Sequence, residues 1–290
     1  RSHWINVIQQ LKVRSMPPAD ADQPSEAARR TLTAWLTNAI EKFDYSTVRQ
    51  PGYEPARRLT RVEYNNTVRD LTGIDLRPAD RFPVDMTATS GFENSANSLF
   101  VQPILMERYV GAAEAIVSAA WPASPSSIAQ QTAWRTLLGD DEDLSADGAA
   151  KNVLRRFATR AYRRPIQQDE LASLTSYFER RRRDGASPNA AMQDVLQVVL
   201  VSPNFLIRSE QKGSQPEVPF PVTDWELAGR LSYFLWASMP DDELFRLAAT
   251  NQLREPGVLA DQVNRMLDDP KARTLGSLFA AQWLGFADLD

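Results

Sequence analysis

Residues 11–24 read LKVRSMPPADADQP and set a methionine before two prolines in a polar stretch between helical segments. The Met16 thioether is a soft metal ligand, and Pro17 and Pro18 restrict the backbone that would present it. The competing role is a loop methionine packed on the helix that follows. Partners for such a sulfur are scarce. The chain has no cysteine and one histidine, His3, which is expected at the surface of a first helix. Without cysteine there is no disulfide, no thiol nucleophile and no zinc–thiolate site in this chain.

Carboxylates offer the other chemistry. Glu63, Asn66 and Asp70 fall at i, i+3 and i+7 of one helix face, where two acids could do acid–base work. Glu63 is also placed to close a capping box with Thr60, and Arg69 to make local ion pairs, so a structural role is the expectation. In the segments RFPVD and GFEN, Asp85, Glu93, Asn94 and Asn97 could hold a metal or a sugar hydroxyl. Their spacing fits no calcium loop, and Phe82 and Phe92 read as pins for the loop. Asp143, Ser145, Asp147 and Gly148 imitate the start of a calcium loop, but its twelfth position is Leu154 rather than a bidentate Glu. Acidic residues ahead of a helix are dipole stabilisation.

Arg163, Arg164 and the run Arg180 to Arg183 suit helix C-termini, with a solvated face favoured over an anion or acidic-glycan patch. The late aromatics Trp225, Tyr233, Phe234, Trp236, Phe245, Phe279, Trp283 and Phe286 could stack on sugars. At helical spacing they read first as core. No glycine-rich phosphate loop, nucleophile elbow or metal–histidine motif occurs.

The elements that must position these groups are helical. Trp4, Ile5, Val7, Ile8 and Leu11 form one stripe, and Leu32, Trp35, Leu36 and Ile40 another on a helix over 27–43. A capping box at Thr60 opens a helix that ends near Gly73. Residues 74–97 read as a long loop, and a helix follows over 103–120. Residues 121–131 read as a connector. Helices are predicted at 147–162, 167–184, 188–208, 224–237, 241–249, 256–268 and 270–286, several opened by Ser-Pro, Asp-Pro or a capping box. No alternating strand exceeds four residues, so the predicted class is all-α, a multi-helix assembly. The predicted organisation is a segment 1–45, a linker at 46–57, and helical domains at 58–120, 147–210 and 221–290.

The chain has 290 residues, 43% apolar and 24% charged, with a net charge of −4. Such a composition supports a substantial core. No basic excess marks a nucleic-acid binder, and no apolar run reaches the length of a membrane span. The first residue, Arg1, reads as a cut end, and the last domain as truncated at Asp290.

Three blocks carry a family likeness. They are RRLTRVEYNNTVRDLTGIDL with RFP and GFEN (57–94), FATRAYRRP with LVSPNFLIRSE (157–210), and ELAGRLSYFLWASMPDDEL through RMLDDPKA to FAAQWLG (226–285). From Arg57 the chain resembles the multidomain cytochrome c-linked proteins of planctomycetes and related bacteria. The leading stretch, WINVIQQLKVRSMPP to LTAWL, resembles the C-terminal half of their cytochrome domain. The resemblance implies haem c in the complete protein, with Met16 as distal axial ligand. It also implies export to the periplasm or cell envelope and further domains beyond Asp290. The chain departs from the pattern by lacking Cys-x-x-Cys-His, so haem cannot attach to it. The expected function is electron transfer to an unknown redox partner. The alternative is a helical interaction or carbohydrate-binding module for a polysaccharide, with no redox role of its own. A carboxylate hydrolase is a weaker third reading.

Overall fold

Helix-opening signals in the sequence do their work where expected. Thr60 accepts from the Glu63 N–H, the Glu63 carboxylate accepts from the Thr60 N–H, and Gly73 closes the helix in the left-handed region. Thr223 with Glu226 makes the same reciprocal box, as does Ser127 with Gln130 in a stretch read as a connector. A computed structural model describes residues 2–43, 56–85, 91–96, 99, 101–139, 144, 148–210 and 220–286. Thirteen α-helices occur among the described residues, and the one sheet described there has two short strands. The fold is all-α. The predicted linker lies almost wholly outside the described residues, as do Asn97, Asp143, Ser145 and Asp147.

The described residues fall into two compact units. The first is a helix pair, α1 (Ser2–Lys12) and α2 (Glu26–Glu41). Its core is small, with Ile8, Leu11 and Leu36 buried and Val7 and Ile40 packed beside them. Trp4, Ile5, Leu32 and Trp35, predicted on the same stripes, are exposed because two helices cannot cover both apolar faces.

The second unit begins at β1 (Arg57–Arg58) and α3 (Arg61–Thr72). There follow α4 (Pro103–Ala120), α5 (Ile128–Leu138), α6 (Ala149–Tyr162), α7 (Gln168–Arg183), α8 (Pro188–Val201), α9 (Pro203–Leu206) and β2 (Ile207–Arg208). The unit continues with α10 (Asp224–Trp236), α11 (Asp242–Ala249), α12 (Val258–Asp268) and α13 (Ala281–Leu284). α8 is the central helix, packed on α4, α6 and α7. Val195, Val199 and Leu200 on it are fully buried with Leu154 of α6 and Ile116 of α4. A smaller cluster joins α10, α11 and α12 around Trp236, whose indole N–H donates to the Met266 carbonyl at 2.9 Å.

Three segments differ from expectation. Residues 121–131 are not all connector, because Ser127 caps a helix from Ile128. The stretch 188–208 is broken at Ser202, whose hydroxyl caps α9 ahead of Pro203. Residues 270–286 are not one α-helix. Pro270–Ala272 is a 3-10 turn, Leu275–Ala280 is wound as a π-helix, and α13 follows.

The loop after α3 is held by buried polar groups, as a long ordered loop requires. Asn65 accepts from the Ala79 N–H and donates to Asp80, both at 2.8 Å. Arg61 donates to the carbonyls of Ala79 and Asp80. Phe82 packs edge-on against Tyr64 and Tyr109.

Candidate functional site

β1 and β2 pair antiparallel, with Arg57 opposite Arg208 and Arg58 opposite Ile207. Like charges facing across a strand pair repel, so this register needs a counter-charge. Glu63, in the first turn of α3, supplies it. Arg57 donates a bidentate pair of hydrogen bonds to the Glu63 carboxylate, 2.8 Å each. Arg208 lies 3.7 Å from the same carboxylate. Burial alone would raise the Glu63 pKa, but the hydrogen bonds and charge of Arg57, the charge of Arg208 and the Thr60 N–H hold it below the ordinary value.

A third guanidinium joins them. Arg163 follows α6 in the left-handed region and is buried. Its Nη2 donates to the carbonyls of Asn204 and Phe205 at 2.9 Å, at the C-terminal end of α9, where a cation is favoured. It has no carboxylate partner among the described residues. Arg163 and Arg208 both lie over the Tyr233 ring, at 5.8 and 4.3 Å from its centroid.

Arg57, Arg163, Arg164 and Arg208 line one cavity of about 400 Å³ with Tyr162, Trp225 and Tyr233. Arg208 is its least satisfied member. The side chain is about four-fifths buried, at 21% exposure, and makes no hydrogen bond to any described residue. Burial draws the guanidinium down to about 10; Glu63 opposes that shift, and Arg57 and Arg163 add to it. Among the described residues, Arg57 and Arg208 share the Glu63 carboxylate, while Arg163 is held by carbonyls and the Tyr233 hydroxyl. An arrangement of this kind binds an oxyanion, because the fork of an arginine matches carboxylate, phosphate or sulfate oxygens.

The residues singled out in the sequence are distributed unevenly around this site. Glu63 belongs to it as counter-ion. Asp70 points elsewhere, accepting from Ser238 at 2.7 Å and from Arg69 at 2.9 Å, with Lys271 at 3.5 Å. The two acids therefore do not converge. Asp85 is buried in an ion pair with Arg58 and accepts from the Arg61 N–H at the start of α3. Glu93 and Asn94 line a separate groove with Phe234 and Phe279, where Phe92 stacks on Phe279. No group of three or more potential metal ligands occurs among the described residues.

Arg163 corrects the expectation of a solvated face, whereas Arg181 makes an ion pair with Asp194 on the surface. Among the late aromatics, Tyr233 and Trp236 are core and Phe234, Phe279, Trp283 and Phe286 are exposed. Sequence reasoning missed Arg57 and Arg208. Their only signal was an arginine near the edge of a block, Arg57 at the start of the first and Arg208 near the end of the second.

Met16 lies in the other unit. Its carbonyl accepts from the buried Arg29 at 2.7 Å, and Arg29 also reaches Gln23 and the Leu11 carbonyl. The loop backbone is thereby pinned to α2 while the Met16 side chain is 52% exposed. The competing role, packing on α2, is not its main environment. His3 is exposed beside Trp4.

Three domains of unknown function are found in the chain. Residues 57–122 match the family "Protein of unknown function (DUF1587)", residues 149–210 match "Protein of unknown function (DUF1595)" and residues 222–290 match "Protein of unknown function (DUF1592)". No curated protein and no solved structure matches the chain. The cavity draws on all three matched segments: Arg57 from the first, Arg163, Arg164 and Arg208 from the second, Thr223 to Tyr233 from the third.

Proposed function

We propose that the three helical domains together form a receptor for an anionic ligand, seated in the arginine-walled cavity. The observation that carries this reading is Arg208, a mostly buried cation that faces the cavity without a hydrogen-bond partner among the described residues. Its contact with Glu63 is long, at 3.7 Å, which leaves the donor fork open to a bound oxyanion. The test is calorimetric titration of the chain with sulfate, phosphate and acetate. Saturable binding that weakens as chloride is raised is expected. Absence of binding by all three would overturn the reading.

The same proposal places this receptor in a longer haem c-linked protein of the cell envelope, where ligand binding is coupled to electron transfer. Its support is the resemblance of residues 1–43 to the closing half of a cytochrome domain, together with the pinned loop that leaves the Met16 thioether accessible. Those residues fit one axial position. The attachment cysteines have to come from outside this chain, which has none. Haem, when bound, would supply one-electron exchange, and Met16 as its ligand would raise the potential. In the complete protein, Met16→Ala is expected to lower the haem potential and weaken the low-spin spectrum. An unchanged potential and spectrum would remove Met16 from the site.

A further inference from the structure

The cavity is not uniformly basic. Its buried residues, and so its floor, are Arg57, Arg163, Tyr162 and Tyr233, with the mostly buried Arg208 beside them. There the positive excess sits, three guanidiniums against Glu63. Toward the mouth the charges balance. Arg164 pairs bidentately with Glu170, at 2.7 and 2.9 Å, and Glu210 is taken by Arg230. Glu226 accepts from the Thr223 N–H and hydroxyl. The mouth also carries neutral hydrogen-bonding groups. Neither the Asn204 Oδ1 nor the Ser209 hydroxyl has a partner among the described residues. Trp225, in the opening turn of α10, is half-buried against Phe245 and lines the same wall.

Resting on the anion-binding reading, we propose that the ligand is an acidic sugar, a uronate residue. Its carboxylate lies against Arg208 on the floor, and its hydroxyls meet Asn204 and Ser209 near the mouth. One localised negative charge suits a floor whose excess is confined. A polyanion gains little from a mouth whose charges are already paired, Glu170 with Arg164 and Glu210 with Arg230. A bare inorganic anion fills a small part of about 400 Å³ and leaves the polar and aromatic wall unused. Sites for small organic ligands combine such walls with a few fixed polar groups. The apolar face of a pyranose fits the Trp225 ring, while its hydroxyls need the unpaired acceptor and hydroxyl nearby.

The experiment is calorimetry on the full 290-residue chain with galacturonate, glucuronate, the matching neutral hexoses, acetate, sulfate and a sulfated dextran. Both the wild type and the Trp225→Leu variant, which keeps an apolar side chain but removes the ring, are titrated. At least one uronate is expected to bind tenfold or more tightly than acetate, sulfate and its own neutral hexose. Trp225→Leu is expected to weaken that uronate at least fivefold and to leave acetate and sulfate within twofold. Acetate or sulfate binding as tightly as the uronates would overturn the sugar assignment and leave the anion site standing. Tighter binding of the sulfated dextran would do the same. A neutral hexose binding as well as its uronate would overturn the uronate assignment, and no binding by any probe would overturn both readings.

Discussion

Glu63→Ala is expected to lower the stability of the folded chain by about 3–5 kcal/mol, the range for removing one partner of a buried ion pair. The carboxylate and the Arg57 side chain are 5% and 8% exposed, so solvent screens the pair little. Three effects coincide. The bidentate hydrogen bonds to Arg57 are lost, the Thr60 N–H loses its capping acceptor, and Arg57 faces Arg208 across the strand pair with no counter-charge between them. A loss of this size is a large share of the ~5–15 kcal/mol that holds a typical domain together. Urea unfolding of both proteins at pH 7 measures it, and a difference under 1 kcal/mol would show that the pair contributes little.

The same carboxylate gives the pH dependence a sign. Its folded pKa lies below the ordinary value, so its stabilisation is fully present above the unfolded pKa and is lost as pH falls through the folded one. The wild type is therefore expected to lose stability below about pH 4.3 more steeply than Glu63→Gln, which has no such proton to take up. Parallel profiles for the two proteins would contradict the assignment.

Much of the fold was legible because its signals are local. A capping box needs two residues three apart, and those at Thr60 and Thr223 open helices as read. The helix over 103–120 was legible from Pro103 at its first position and apolar residues recurring at helical spacing. The π-wound turn at Leu275–Ala280 was not, since apolar spacing does not distinguish an i+5 from an i+4 winding over six residues. The site was legible only in fragments. Glu63 was read correctly as the partner of Thr60, yet its second role depends on Arg57 and Arg208 being brought opposite each other by a two-residue strand pair. Nothing in the sequence near Ile207 and Arg208 marks them as a strand. Arg163 illustrates the converse. A basic residue at a helix end reads as solvated, and only the fold shows that another helix terminus, that of α9, covers it.

Arg208→Gln separates function from stability. Truncating a charge that is hydrogen-bonded to a buried counter-ion in a complex costs roughly 2–5 kcal/mol of binding, so the chain's affinity for its anion is expected to fall at least about thirtyfold. Stability should move the other way or not at all. Arg208 has no hydrogen bond to lose among the described residues, and its contact with Glu63 is a long one at 3.7 Å. Burial and the charges of Arg57 and Arg163 disfavour its cation, drawing its pKa to about 10. For a base with a lowered folded pKa, the unfolded chain holds more protons between the two pKa values. Stability therefore rises with pH across that window, and the penalty is present in full at neutral pH. Removing the charge relieves it. Thermal unfolding with and without excess sulfate reads both effects at once, because a ligand that binds only the folded state raises the midpoint. The wild type should gain from sulfate and Arg208→Gln should not, while without sulfate the variant unfolds at the wild-type temperature or above it. A variant that unfolds several degrees earlier without ligand, and still responds to sulfate, would make Arg208 a structural cation and move the anion site elsewhere in the cavity.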